Sequence, residues 1–241
     1  MARPFLTARW QHLLFFNYRC PADLLQRYVP DGTLLDSFEG EYYVSLVGFL
    51  FRDTLVRGLP IPCHRTFEEV NLRFYVRREL PGETRRAVVF LKELVPRRAI
   101  AAVARRLYQE PYEAVEMSNA NDLESARRGL IAYYWGYGGR PYGMRAAVEG
   151  EPQPAAAGGQ AEFITEHYWG YTAQRDGGTL EYKVEHPRWR LWSPLDPVVD
   201  GDLSRIYGPE FGSVLQHPPV SVIAAEGSEV AVYSGQRLTG S

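Results

Sequence analysis

Between Glu69 and Arg77 apolar and polar residues alternate without a break. Val70, Leu72, Phe74 and Val76 fall on one side; Asn71, Arg73, Tyr75 and Arg77 fall on the other. A period of two marks a strand, here with one apolar and one polar face. Tyr42–Arg52 keeps that period but has two mostly apolar faces. Val44, Leu46, Gly48 and Leu50 share one, and Tyr43, Ser45, Val47, Phe49 and Phe51 share the other. Such a strand is covered on both sides and sits centrally in its sheet. Ala87–Val95 reads the same way, and Arg9–Arg19 is a strand rich in aromatic and apolar residues. The alternation predicts that Val70, Leu72, Phe74, Val88, Phe90 and Leu94 are largely buried.

Further strands are predicted at Tyr112–Met117, Arg128–Gly136, Tyr142–Glu149, Thr179–His186, Arg188–Trp192, Val220–Ala224 and Glu229–Ser234. Pro21 stands where a helix would start, with Leu24, Leu25 and Tyr28 as its apolar stripe and Pro30 as its stop. Pro96 opens a second helix, with Ile100, Val103 and Leu107 on one face, ending near Pro111. A third, short helix is predicted near Glu210–Leu215. The Pro-, Ala- and Gly-rich stretch Gly150–Gln160 reads as a loop rather than a domain linker, because too little independent core follows it. About ten strands with two or three short helices predict a mainly β (α+β) structure, closed or nearly closed, over one domain spanning residues 1–241.

Composition narrows the function classes. A net charge of −2 gives no electrostatic reason to expect nucleic acid or an anionic membrane as partner. No run of about 18 apolar residues would span a bilayer, and no secretory leader is readable at the N-terminus, so the cytoplasm is expected. Cys20 and Cys63 lack CxxC spacing and read as free thiols. The histidines show no HxH, HxxxH or HExxH spacing, so neither a metal nor a cofactor is expected. Of the 27 basic residues only Lys92 and Lys183 are lysine. In a chain that avoids lysine, those two have a raised chance of needing an amine.

His64, Arg65, Glu68, Glu69, Asn71 and Arg73 form the densest polar cluster. Facing a cavity, Asn71 and Arg73 would supply an amide and a bidentate anion binder. Facing water, the same residues would be solvated Arg–Glu pairs of little energetic weight. Glu166, His167, Tyr168, Trp169 and Tyr171 form a second cluster around Gly170. A histidine beside a carboxylate suits general acid–base work, and it equally suits a packed aromatic corner. Glu185-His186 repeats the pairing at a strand end. By simple alternation Lys92 shares a face with Val88, Phe90 and Leu94, with Glu93 opposite. That would desolvate its amine and make it a nucleophile; the alternative is a lysine snorkelling at a strand end.

The chain also resembles a known family. The strings WQHLLFFNYRCPADLLQRYVP from Trp10 to Pro30, LDSFEGEYYVSLVGF, IPCHRTFEEVNLRFYV, VVFLKELVPRRAIAAVARRLYQEPY, EFITEHYWGY, LEYKVEHPRW and IYGPEF together resemble the YqjF-like family of conserved bacterial proteins, a domain of unknown function. The resemblance implies the fold of acetoacetate decarboxylase, a cone of antiparallel β-sheets around a central cavity. It also implies a departure. Those decarboxylases carry a Schiff-base lysine in a lysine pair. The matching stretch here runs Arg105-Arg106-Leu107-Tyr108-Gln109-Glu110-Pro111 into Tyr112 and Glu113, with no amine at that place. Neither phenol nor carboxylate can form an iminium, so the lysine mechanism is not expected. The resemblance instead puts Glu113 among the candidate ligand-binding residues and Glu68 or Glu69 in the region of a pocket glutamate.

The expectation is therefore a pocket where the two clusters meet. Glu69, His167 and Lys92 are its candidate catalytic groups. His64, Arg65, Glu68, Asn71, Arg73, Glu113, Tyr168, Trp169, Tyr171 and His186 are its candidate ligand-binding groups. Arg73 or Arg65 would anchor an anion. In the empty protein that arginine should pair with a glutamate lining the pocket. The ligand would be a small, anionic molecule bearing a carboxylate or carbonyl. The protein would be either an enzyme or a non-catalytic binder, a cone packed solid being the weaker third reading. A homo-oligomer is left open.

Overall fold

The computed structural model describes residues 3–60, 65–96, 111–123 and 128–238. β1 (Leu6–Arg19) leads into α1 (Ala22–Gln26), which begins after Pro21 and buries Leu24 and Leu25. Next come β2 (Leu34–Leu35), β3 (Tyr43–Val56), β4 (Leu59–Pro60), β5 (Phe67–Leu80) and β6 (Glu83–Val95). The expected helix from Pro96 to Pro111 lies outside the described residues. The expected strand at Tyr112–Met117 is two short ones, β7 (Tyr112–Ala114) and β8 (Met117–Asn119). β9 (Arg128–Tyr137), β10 (Arg140–Glu149) and β11 (Gln153–Pro154) follow. Then come α2 (Gln160–Thr165), β12 (Trp169–Ala173), β13 (Thr179–Glu185), β14 (Arg190–Trp192) and β15 (Leu195–Asp200). The chain ends with α3 (Ser204–Leu215), β16 (Ser221–Val232) and β17 (Gln236–Leu238).

The larger sheet turns back on itself. β16, β1, β3, β5 and β6 are successive antiparallel neighbours. β6 takes β12 in parallel, β12 pairs with β13, and β13 returns to β16 through Val184 opposite Val232. These seven strands make a closed circuit of hydrogen-bonded neighbours, which removes free edges from the central strands. A smaller sheet, in the order β15-β10-β9-β8, packs against it. The architecture is mainly β, as the strand pattern predicts.

Each central strand is apolar on both faces, and each face meets a different partner. On the second-sheet face, Leu14 and Phe16 of β1, Val44 and Leu46 of β3, and Leu72 and Phe74 of β5 pack toward the smaller sheet and α3. On the α2 face, Phe15 of β1, Val47 and Phe49 of β3, and Tyr75 of β5 pack with Phe163 and Ile164 of α2. Val70, Leu72, Phe74, Val88 and Leu94 are buried, each contributing roughly 1.5–3 kcal/mol of apolar transfer; Phe90 is half-buried.

Two departures from simple alternation matter. The register of β5 against β6 steps between Leu72 opposite Lys92 and Arg73 opposite Phe90, so Leu91 is an extra residue. Such a bulge reverses which side the following residues face. Likewise, β16 runs unbroken where two separate strands are predicted. Gly227 adopts φ +85° inside it, opposite Gln11, where a Cβ would lie 2.0 Å from the Trp10 carbonyl oxygen. Only glycine fits both the conformation and the approach, and the ladder continues past it.

Candidate functional site

Alternation along β5 places Glu69, Asn71, Arg73 and Tyr75 on its α2 face, and all four are buried. The strand pairings extend one polar row across the sheet. Arg73 stands opposite Ser45, Ser45 opposite Asn17, and Asn17 opposite Ser221. Asn17 Nδ2 donates to Ser221 Oγ at 3.0 Å, and Ser45 Oγ donates to Asn17 Oδ1 at 2.6 Å. The Ser45 proton is then committed, so the 2.6 Å contact with Tyr75 has the tyrosine as donor. Tyr75 is thus tied to the row beside it.

His167 follows α2 and lies over that tyrosine. Its ring stacks on Tyr75 at 4.6 Å and meets Phe163 edge-on at 5.7 Å. Among the described residues neither ring nitrogen makes a well-formed hydrogen bond, although the Ile164 backbone approaches the ring. Burial, then the charges of Arg86 and Arg73, hold its pKa well below the ordinary histidine value, so the ring is neutral. Arg73 itself is only 8% exposed. Its guanidinium lies 5.2 Å from the Phe15 ring centroid and 5.8 Å from that of Tyr75. The expected glutamate partner is not there: among the described residues no carboxylate lies within ion-pair range of Arg73. Two aromatic faces take the place of a counter-ion. Its Nε has no hydrogen-bond partner among the described residues, nor does Asn71 Oδ1.

Around this centre Tyr168 donates a short hydrogen bond to Glu166, and Arg188 reaches Glu166 at 3.4 Å. Burial first, then Glu166, pushes the Tyr168 hydroxyl up to about 12. His186 stacks on Trp189 at 4.2 Å and lies 4.9 Å from the Tyr168 ring. It also lines an open hollow of about 630 Å³ with Arg9, Asp53, Glu185 and Glu229. His186 therefore stands between that hollow and the Arg73 cluster.

Further along β5, Glu69 accepts from Asn71 Nδ2 at 2.9 Å and from the Tyr112 hydroxyl at 3.3 Å. Glu93, opposite Asn71 and almost wholly buried, adds a second carboxylate. Glu69 is four residues from Arg73, about 13 Å of strand. The face therefore has an arginine–histidine end and a carboxylate–phenol end.

Several expected residues lie elsewhere. Lys92 faces the smaller sheet with Leu94 and Glu93 stays opposite, as alternation has it, but the bulge puts Val88 and Phe90, expected beside Lys92, on the α2 face. Lys92 Nζ pairs with Glu113 at 3.2 Å, and β7 puts Glu113 on that same far side. Glu68 also faces away and accepts from Asn119 of β8 at 2.7 Å. Arg65 is an exposed partner of Asp53 at 2.9 Å. Trp169 lies under Arg85, 4.0 Å from its guanidinium, and Tyr171 donates to Glu181 at 2.6 Å; both pack in the core of the second-sheet face. His167 precedes β12, in the segment after α2, and packs on Tyr75 and Phe163 instead. His64 lies outside the described residues. Among the described residues no group of histidine, cysteine and carboxylate side chains is arranged to hold a metal.

Sequence reading missed Asn17, Ser45, Tyr75, Glu93 and Tyr112. Asn17 and Ser45 carried a usable signal, being small polar residues on strands otherwise apolar on both faces.

Known proteins share this arrangement of strands. Acetoacetate decarboxylase from Legionella pneumophila superposes with a TM-score of 0.66 at 14% identity, covering 99% of this chain and 88% of that one. The enduracididine biosynthesis enzyme MppR, in complex with pyruvate, gives 0.69 at 13% identity, covering 99% and 92%. An acetoacetate decarboxylase-like enzyme from Sphingomonas wittichii RW1 gives 0.65 at 13% identity, covering 100% and 95%. At these identities the likeness is one of fold. The uncharacterized protein YqjF of Bacillus subtilis is 28% identical over 191 residues, 76% of this chain and 73% of that protein. Residues 7–229 match the DUF2071 family, described as an uncharacterized conserved protein, and the chain belongs to that family.

Proposed function

We propose that the α2 face binds a small carboxylate- or carbonyl-bearing molecule, with Arg73 as its anion anchor. One observation carries this: a buried guanidinium between two aromatic faces, with no carboxylate in reach among the described residues. Burying an unpaired cation is costly, and a ligand carboxylate would relieve that cost with charge-assisted hydrogen bonds. Asn71 would orient the ligand, and His186 and Tyr168 stand on the side facing the open hollow. Pyruvate bound to MppR shows that the shared fold accommodates such a ligand, at residues that 13% identity does not carry over. The lysine route of the decarboxylases is not part of this reading, because the family resemblance puts Tyr112 and Glu113 where that route needs an amine.

The test is calorimetric titration with pyruvate and acetoacetate against acetone as an uncharged control. The oxo acids should bind and acetone should not. Arg73→Met should weaken binding about 10- to 100-fold, the weight of a charge-assisted pair. Equal binding of acetone, or unchanged affinity in Arg73→Met, would sink the reading.

A second reading, catalysis, rests on His167. A neutral imidazole beside an anion site can take a proton from the carbon next to a ligand carbonyl. A bound carboxylate would also offset the Arg73 charge, which adds to burial and Arg86 in keeping this imidazole neutral. Pyruvate in deuterated buffer should then exchange its methyl protons, and His167→Gln should stop the exchange without abolishing binding. Binding without exchange would leave a binding protein and no enzyme.

A further inference from the structure

We infer that the opposite face of the sheet holds a second, independent site, at Lys92, for a small carboxylate with a flat apolar body. Lys92 Nζ donates to Glu113 at 3.2 Å and to the Tyr137 hydroxyl at 3.4 Å, and lies 5.3 Å from the Tyr137 ring centroid. Tyr137 also donates to Glu113, at 3.3 Å. Lysine, phenol and carboxylate therefore meet at one point. The walls are aromatic. Tyr142 meets Tyr137 edge-on at 6.5 Å and stacks on Trp135 at 6.0 Å, on the inner side of the smaller sheet. Tyr207 of α3 completes them. Burial raises its hydroxyl above the ordinary tyrosine value, and Tyr137 adds to that shift.

The unpartnered donors point to a ligand. Tyr142, Tyr207 and Trp135 are each more than nine-tenths buried. Among the described residues the two hydroxyls and the indole Nε1 have no hydrogen-bond partner. A buried donor without an acceptor is uncommon and costly, and three within one aromatic cluster call for an acceptor-bearing guest. The charge next to them is a lysine in a chain that uses arginine nearly everywhere else. Its present partner, Glu113, is 44% exposed on its side chain. An ion pair with so much water access is weak, and its carboxylate can leave for solvent at little cost. Glu113 thus holds the place that a ligand carboxylate would take, and the rings offer faces for a flat apolar body.

The experiment uses the whole chain with lysine labelled at Nζ by nitrogen-15. There are two lysines, so Lys183→Arg assigns the pair of signals. Benzoate is the probe and benzamide its uncharged counterpart. Benzoate should shift the Lys92 signal saturably and leave Lys183 unmoved, and benzamide should shift neither. Glu113→Gln should tighten benzoate severalfold by removing the competitor, and Tyr207→Phe should weaken it. Arg73→Met should leave it unchanged, which separates this site from the one on the α2 face. Lys92→Met and Lys92→Arg remove the reporting signal and are read by calorimetry in the Arg73→Met background, where Lys92→Met should abolish benzoate binding. If that variant does not fold, Lys92→Arg serves, and benzoate should remain bound in it. A Lys92 signal unmoved at millimolar benzoate would overturn the inference. Equal shifts with benzamide, or Glu113→Gln leaving benzoate affinity where it was, would do the same.

Discussion

The imidazole of His167 stacks on the ring of Tyr75 at 4.6 Å, with the planes 29° apart. This contact joins β5 to the segment after α2 through Tyr75, a residue outside the first sequence cluster. It also fixes the protonation state of the histidine. A ring sealed against a tyrosine, close to Arg73 and Arg86, cannot carry a third positive charge cheaply.

Stability should therefore fall as the solution is acidified, starting near neutrality. In the unfolded chain histidines titrate near 6.5. In the folded protein burial and Arg52 lower His12 to about 4, burial and two arginines hold His167 well below 6.5, and burial lowers His186. Below 6.5 the unfolded state thus binds protons that the folded state refuses. The contribution is fully present above 6.5 and is lost as pH drops. With His12 and His167 both titrating, the slope is roughly 2 kcal/mol per pH unit. Urea unfolding at pH 7.5, 6.5 and 5.5 measures it, and a flat profile between 7 and 5.5 would refute the assignment.

Glu181 accepts from Arg78 at 3.0 Å, from Arg85 at 2.7 Å and from Tyr171 at 2.6 Å, and is itself buried. It fastens β13 to β5, β6 and β12 just where the strand circuit changes from antiparallel to parallel. Glu181→Gln would leave Arg78 without its anion and Arg85 with only the half-exposed Glu83, at 3.1 Å. A loss of about 3 kcal/mol is expected in urea unfolding, well above that for removing the exposed Arg65–Asp53 pair. Equal costs for the two changes would show that the burial is unimportant.

Residue pattern singled out the strand that carries the proposed site but not every residue's side. The unbroken alternation of β5 placed Asn71 and Arg73 together opposite an apolar core, and the structure shows the same. Alternation groups Lys92 with Val88 and Phe90 as well as Leu94, but one extra residue, Leu91, reverses parity between them, and nothing in the string VVFLKELV marks a bulge. β16 read as two strands because Glu226-Gly227-Ser228 looks like a turn. Its role as a close approach to Trp10 depends on a strand more than 200 residues away in the chain. β12 is five residues around a glycine and β15 contains Pro197, so neither reached the length or composition that marks a strand. Aromatic shielding of Arg73 was invisible for a different reason. Which rings flank a guanidinium is set by register between strands, not by neighbours in sequence.

Gly227→Ala tests the close approach directly. Alanine there meets both a left-handed backbone and an overlap with the Trp10 carbonyl oxygen. The two strands must part or the backbone must rearrange, so a loss of roughly 2–4 kcal/mol is expected. Gly40→Ala is the control, because φ is similar at +80° but nothing lies within 4 Å of the added Cβ. It should cost only about 1 kcal/mol, the conformational part alone. Thermal unfolding of both variants separates the terms, and equal shifts in Tm would show that crowding at Gly227 contributes nothing.

The row of Tyr75, Ser45 and Asn17 makes a prediction about order of effects. All three are buried, and the Ser45 hydroxyl is the link, accepting from Tyr75 and donating to Asn17. Tyr75→Phe removes one donor, and Ser45 keeps its bond to Asn17, so the cost should be about 1 kcal/mol. Ser45→Ala removes only one heavy atom as well, but it leaves a buried tyrosine hydroxyl and a buried amide oxygen without that partner. Its cost should be larger, roughly 2–4 kcal/mol. The double variant should then cost less than the sum, because once the tyrosine hydroxyl is gone the Ser45→Ala change strands only the amide oxygen. A coupling of at least about 1 kcal/mol in the double-mutant cycle is expected from urea unfolding. Ligand binding adds a second readout. Tyr75→Phe keeps the aromatic surface against both Arg73 and His167, so pyruvate affinity should change by less than about threefold, far less than for Arg73→Met. A Ser45→Ala variant no less stable than Tyr75→Phe, with additive effects in the double variant, would show that the row is three separate polar groups and not one connected strut beneath the site.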